Sequence, residues 1–264
     1  MFLPDHVLLC INTLEAAGYQ AWAVGGCVRD ALLGLTPNDY DLCTDAKPDQ
    51  TEALFSDYPL ILNGKKHGTV GVILEGNVVE ITTFRTEGDY RDNRHPEWVA
   101  FVPDIEQDLA RRDFTVNAMA YSPYRGYADP FGGRADLEQK LLRAVGEPER
   151  RFREDSLRIL RGVRFSVRYG LTPEAQTLDA MISLRHLMDN LARERVFDEL
   201  CKLLPLICSD DLVRFAPVLT AVIPELECCI GFNQHNPHHL CQGSAPLCAG
   251  DLRRDSGACT YHWV

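Results

Sequence analysis

The chain has 264 residues, 45% of them apolar and 25% charged, with a formal net charge of -11. That is enough apolar material for one large or two modest domains with real cores, and it excludes a disordered chain. No apolar run approaches the ~20 residues of a membrane span. The opening "MFLPDHVLLCINTLEAAGY" lacks the basic start of a signal peptide, and ten scattered cysteines without a Cys-x-x-Cys pair suit a reducing compartment. A cytoplasmic protein without a membrane partner is expected.

In chain order, Val7, Leu8, Ile11 and Leu14 recur at helical spacing and Gly18 supplies a stop, which predicts an amphipathic first helix. Five short apolar or β-branched runs follow: "AWAVGG", "YDLCT", "GTVGVIL", "NVVEITTF" and "WVAFV". Short helices, "VRDALLG" and "KPDQTEALFSD", come after the first and second runs, so a mixed sheet of about five strands is predicted. Between the last two runs, "RTEGDYRDNRHPE" is too polar for a core and reads as a mobile loop over a site. From about Ala135 the pattern is helical through "DLEQKLL", "EDSLRILRGVRFSVRY", "PEAQTLDAMISL" and "RERVFDELCKLLPLI", the last with Val196, Leu200, Leu203, Leu204 and Ile207 on one stripe. "DPFGG" at 129–133 is the best boundary between the two textures. Between Lys140 and Arg168 nine basic residues face four acidic ones, so the acidic chain contains a basic segment able to meet phosphates.

Two stretches carry chemistry. In "NDYDLCT" an extended chain would place Asp39 and Asp41 on one face, where two carboxylates repel unless a cation neutralises them. Magnesium suits such a pair, because it accepts one or two carboxylates and completes its shell with water and phosphate oxygens. Twelve residues earlier, Gly25 and Gly26 in "VGGCVRDALLG" lie between a strand and a helix, a turn that exposes backbone N–H groups where phosphates bind. Arg29, one turn into that helix, could reach the same anion. A glycine cradle for a triphosphate beside a metal-carboxylate pair is the joint reading.

Together these stretches resemble the signature of the nucleotidyltransferase superfamily, in the branch of class II CCA-adding tRNA nucleotidyltransferases and bacterial poly(A) polymerases. "RRDFTVNAMA" at 111–120, "DPFGGRADL", "EDSLRILRGVRF" at 154–165 and "ARERVFDEL" at 192–200 are similar, in order, to four further motifs of that family. The resemblance implies an α+β fold: a mixed-sheet, palm-like nucleotidyltransferase head (1–133), an all-helical neck (134–205), the start of a helical body (206–240) and an atypical tail (241–264). It implies magnesium-dependent transfer of CMP and AMP from CTP and ATP to the 3' end of tRNA, with no protein partner. A poly(A) polymerase, a CC- or A-only enzyme and an inactive nucleotide- or RNA-binding fragment are the alternatives.

Within that resemblance Asp39 and Asp41 are the metal-holding catalytic pair, and Glu80 is a third carboxylate unless it is simply a solvated strand face. Arg112 resembles a triphosphate- or ribose-contacting residue, with Asp113 and Asn117 supporting it. Asp155 and Arg158, three apart on a predicted helix, share a face continued by Arg161 and Arg164, while Leu157, Leu160, Val163 and Val167 face inward. A carboxylate accepts from an exocyclic amino group and a guanidinium donates to a ring nitrogen, so this pair accepts cytosine and adenine and rejects guanine and uracil without a template. Arg85, Asp92, Arg94 and His95 match the family's flexible loop. Relatives are typically longer, and the match fades after Leu240. The last 24 residues are therefore expected to be an aberrant end on a truncated enzyme, and His235, His238 and His239 a helix-start cluster without metal, which disfavours an HD-type phosphohydrolase.

Overall fold

The computed structural model describes residues 1–88 and 99–230. The sequence expectations for Asp92, Arg94, His95, the three histidines at 235–239 and the tail lie outside these residues. Helix α1 (Asp5–Ala16) buries Val7, Ile11 and Leu14 as its spacing predicts, with Cys10 buried beside them and Leu8 only half-buried. It is followed by β1 (Ala21–Val24), α2 (Gly26–Leu32), β2 (Asp41–Thr44), α3 (Pro48–Leu54), β3 (Leu60–Ile61), β4 (Thr69–Leu74) and β5 (Asn77–Thr83). Next come β6 (Arg85–Glu87), β7 (Val99–Phe101), α4 (Ile105–Ala110), β8 (Ala120–Ser122), β9 (Gly126–Ala128), α5 (Gly133–Glu138) and β10 (Leu141–Leu142). The chain continues with α6 (Pro148–Glu154), α7 (Leu157–Tyr169), β11 (Thr172–Pro173), α8 (Ala175–Ser183), α9 (Arg193–Leu203) and α10 (Ser209–Leu219).

The main sheet has seven strands in the order β3-β4-β5-β2-β1-β8-β9, two more than the sequence predicts. The run "WVAFV" is not among them: β7 pairs with β6 in a separate ribbon. The additional strands β3, β8 and β9 are two or three residues long, too short to show a period of two. The β2–β5 pair is parallel and sets Asp41 directly opposite Glu80. All four residues of β1 are buried, so both sheet faces are covered there. One apolar cluster joins α1, α2 and Phe55 to Phe114, Phe152 and Leu160; the other gathers Trp22, Cys43, Phe84, Ile105 and Leu109.

The "DPFGG" segment docks a helix rather than merely ending a domain. Asp129 accepts from the Gly133 and Arg134 amides at 2.7 and 3.0 Å and so caps α5. A Cβ on Gly133 would lie 2.3 Å from the Thr115 carbonyl oxygen, so only glycine permits this approach. Thr115 then donates to Asp136 at 2.6 Å, fixing the turn at 115–117 that carries Asn117.

Helix α7 is the axis of the second half. Leu160 and Val163 are fully buried, and Gly170 in the left-handed region ends the helix. Phe114 meets Phe152 and Phe165 with ring centroids 6.4 and 5.9 Å apart, so aromatic packing carries one core across both halves. Two expectations need correction. The helix predicted from Glu154 is broken, because Asp155 takes extended angles (φ -145°, ψ 104°) between α6 and α7. On the last stripe Leu203 is buried, but Leu204 is 52% exposed. Among the described residues no helix is long and apolar enough to cross a membrane.

Arg164 of α7 and Glu199 of α9 form a buried ion pair joining the two helices. Removing one partner of such a pair strands the other charge. Glu199→Ala is therefore expected to cost about 3–5 kcal/mol in urea unfolding, and Glu199→Gln, which keeps an acceptor, distinctly less.

Candidate active site

A cleft of about 450 Å³ opens between the strand ends of the sheet and helix α7. It gathers Gly25, Gly26, Arg29, Asp39, Asp41, Arg112, Asp113, Asn117, Asp155, Arg158, Arg161 and Arg164 from four separate stretches of sequence. Glu80 is left outside its lining. Eight arginines and five aspartates line the cleft, so it is locally basic in an acidic chain.

At one end Asp39 precedes β2 and Asp41 begins it, so only Asp41 has strand geometry. Asp41 has surface on the cleft, yet the protein walls around it, then the charges of Asp39 and Glu80, push its carboxyl up to about 6 against the pull of Arg112. Like charges so placed ask for a cation. Among the described residues no group of three or more His, Cys, Asp or Glu side chains forms a metal cage. The donor set is thus a carboxylate pair that needs ligand oxygens to complete it, which fits a hard divalent cation.

Beside this pair lies the glycine turn. Gly25 has φ +76°, a conformation side chains disfavour, and a Cβ there would stand 2.8 Å from Arg112 Nη1. The Arg112 guanidinium therefore lies directly over the turn. Behind it, Asp108 of α4 is fully buried and accepts from Arg112 Nη2 at 3.3 Å, from Arg111 Nε and Nη2 at 3.0 and 2.9 Å, and from the Arg85 amide at 3.2 Å.

At the far end, Asp155 and Arg158 both line the cleft without sharing a helix face. Asp155 sits in the break before α7, where its carboxylate takes the Leu157 amide at 3.1 Å and the fork of Arg195 from α9 at 2.9 and 3.3 Å. Arg158 donates to Glu154 at 2.8 Å and to the carbonyls of Arg151 and Arg111 at 3.1 and 3.2 Å. Both groups are held in place by protein and keep free lone pairs or N–H groups for a ligand edge.

A hydrogen-bonded chain runs along the cleft from Arg161 of α7 to Arg29 of α2. Arg161 Nε and Nη2 grip Asp113 Oδ2 at 2.9 and 2.7 Å, and Asp113 Oδ1 accepts from Asn117 at 3.0 Å. Asn117 Oδ1 in turn accepts from Arg29 Nη1, whose Nη2 donates to the Tyr169 hydroxyl at 2.5 Å and whose Nε donates to Asp30 at 2.8 Å. Arg29 also stacks 4.3 Å from the Tyr169 ring centroid. It holds the turn to the neck as well as facing the cleft. Arg164 faces the cleft too, with its Nε given to Glu199. Burial alone would raise the Asp113 carboxyl, but the Arg161 charge and the Asn117 hydrogen bond outweigh it and hold the group down to about 2.

Sequence reasoning missed Asp108, Tyr169 and Arg195. Asp108 lies four residues before Arg112, a spacing that many solvated helix faces share, and Tyr169 is 140 residues from its partner Arg29 and had no local signal. Arg195 is 40 residues from Asp155 and had no local signal.

Residues 21–143 match the poly A polymerase head domain, and residues 170–207 match the module described as "Probable RNA and SrmB-binding site of polymerase A". The CCA-adding enzyme of Geobacillus thermodenitrificans is 44% identical over 225 residues, covering 81% of this chain and 55% of that one. The CCA-adding enzyme of Bacillus subtilis is 46% identical over 194 residues, covering 74% and 48%. The solved Bacillus stearothermophilus CCA-adding enzyme in complex with CTP superposes with a TM-score of 0.71 at 39% identity, over 86% of this chain and 52% of that one. The Thermotoga maritima CCA-adding enzyme complexed with tRNA gives 0.69 at 26% identity, over 84% and 52%. The chain thus spans about half the length of the curated relatives it matches.

Gly25→Ala is expected to strain the turn and to displace Arg112, costing about 1–3 kcal/mol in urea unfolding. For pH, the Asp113 carboxyl is depressed from 3.8 to about 2, so its contribution is complete above pH 4 and lost as pH falls toward 2. That amounts to about 2 kcal/mol, and acid unfolding of Asp113→Asn should show a shallower fall in stability over this window than the parent.

Proposed function

We propose, from the premise that this chain belongs to the family of CCA-adding nucleotidyltransferases and poly(A) polymerases, that its cleft transfers CMP and AMP from CTP and ATP to the 3' end of tRNA. The observation that carries the reading is the meeting, in one cleft, of a carboxylate pair, a glycine turn under an arginine, and the Asp155/Arg158 pair. The CCA reading is preferred to poly(A) synthesis because the relatives at 44% and 46% identity are CCA-adding enzymes.

In this reaction the 3' hydroxyl of the RNA attacks the α-phosphorus in line, the bond to the β-phosphate oxygen breaks, and pyrophosphate leaves. Asp39 and Asp41 would hold a divalent cation, magnesium in this reading, which when bound lowers the pKa of the attacking hydroxyl and neutralises the leaving charge. Glu80, opposite Asp41, adds negative charge beside that pair. Arg112 over the Gly25–Gly26 turn takes the triphosphate. At the far end Asp155 accepts from the exocyclic amino group of cytosine or adenine while Arg158 donates to the neighbouring ring nitrogen. Guanine and uracil present a carbonyl oxygen to Asp155 and are rejected. Asp113 and Arg161 keep the two ends in register. In this reading residues 1–133 are the head, 134–205 the neck and 206–240 the beginning of a body, and the protein works in the cytoplasm.

The test is incorporation of radiolabelled CTP and ATP, with magnesium, into tRNA lacking its 3' end. The parent chain is expected to add C and then A up to a defined terminus, and Asp39→Ala and Asp41→Ala each to lose at least about a thousandfold in rate. Continued addition of A without a defined end would move the assignment to poly(A) synthesis.

A further inference from the structure

Asp108 lies one layer behind the cleft, wholly buried and absent from its lining. A buried carboxylate is costly unless each oxygen is matched by charged or polar hydrogen. Here Oδ1 takes Arg111 and the Arg85 amide, leaving Oδ2 for Arg112 at 3.3 Å. That one bond reaches only the inner Nη2 of Arg112. The outer Nη1 stands over the Gly25 turn, where a Cβ would collide with it at 2.8 Å. Among the described residues Arg112 Nε is buried without a hydrogen-bond partner, so the Asp108 contact is what fixes the direction of the guanidinium. A second tie runs through the Arg85 amide to β6, which leads into the segment at 89–98.

We propose that Asp108 is a positioning residue for nucleotide binding, a buried anchor that aims Arg112 across the Gly25–Gly26 turn at the triphosphate of the incoming nucleotide. This inference rests on the reading of the cleft as a nucleoside-triphosphate site. It concerns the phosphate end alone, so Asp108 affects how tightly any triphosphate is held and leaves the choice of base untouched. Asn at this position keeps the shape but puts an amide N–H or a neutral oxygen against two guanidiniums. The arginine is then no longer oriented.

The experiment is calorimetric titration of the full chain, with magnesium, using CTP, ATP, UTP and inorganic tripolyphosphate. The parent is expected to bind CTP and tripolyphosphate; failure to bind either would overturn the triphosphate reading itself and the inference with it. With binding present, Asp108→Asn is expected to weaken tripolyphosphate, CTP and ATP alike by roughly tenfold or more, with the ratio of CTP to UTP affinity unchanged. In an Arg112→Ala background the same substitution should add nothing, because its only route to the ligand has been removed. Undiminished affinity in Asp108→Asn, or an equal loss with and without Arg112, would overturn the proposal. Should Asp108→Asn fail to fold, Arg112→Lys carries the test in a chain whose Asp108 keeps Arg111 and the Arg85 amide. A lysine cannot bridge the anchor and the turn, so affinity as low as that of Arg112→Ala supports the role, and full affinity in Arg112→Lys overturns it.

Discussion

The architecture depends on one buried carboxylate. Asp113 stands where the sheet half meets helix α7, and its two oxygens are divided between the halves: Oδ1 to the Phe114 amide and Asn117, Oδ2 to the Arg161 fork. An aspartate this buried is stable only because Arg161 neutralises it. The next residue, Phe114, inserts between Phe152 and Phe165, so the polar clamp and the aromatic core begin at adjacent positions. Electrostatics sets the register and dispersion holds it. The Gly25–Gly26 turn and the Asp155/Arg158 pair, which line one cleft, come from the two halves that this clamp joins.

Arginine is the residue through which the cleft is built. Arg158 lies on the carbonyls of Arg151 and Arg111, Arg195 on Asp155, Arg164 on Glu199 and Arg29 on Asn117 and Tyr169. Each guanidinium has five donors in a rigid fork, so it can satisfy a buried acceptor with one edge and face the cleft with another. Lysine, a point charge on a flexible stem, could not serve both. The chain therefore carries a net charge of -11 and still presents a basic cleft, because positive charge is concentrated where ordered acceptors keep it in place.

Much of this was legible in the sequence because it is local. The Gly25–Gly26 turn, β2 with Asp41, and the buried stripe of α7 each follow from the order of a few neighbouring residues. What was not legible depends on distant partners. Asp155 leaves the helix because its carboxylate caps the Leu157 amide and meets Arg195, a pairing that periodicity cannot show. The strands β3, β8 and β9 owe their pairing to the neighbouring strands of the sheet, and the solvent face of Leu204 is not distinguished by spacing from that of Leu203. Asp108 went unread because an acidic residue inside "IEQDLARRDF" looks like any solvated helix face until its burial is seen. Motif chemistry is written in consecutive letters, whereas its supporting shell is written across the fold.

In the function proposed above, the Asp113–Arg161 clamp holds the Asp155/Arg158 end of the cleft in register with the Gly25–Gly26 end. The most direct measurement is the ratio of CTP to UTP affinity in the parent and in Asp113→Ala, both titrated with magnesium and without RNA. A preference for CTP of at least roughly tenfold is expected in the parent, collapsing toward unity in the variant while triphosphate binding persists. An unchanged ratio in a folded Asp113→Ala chain would contradict it.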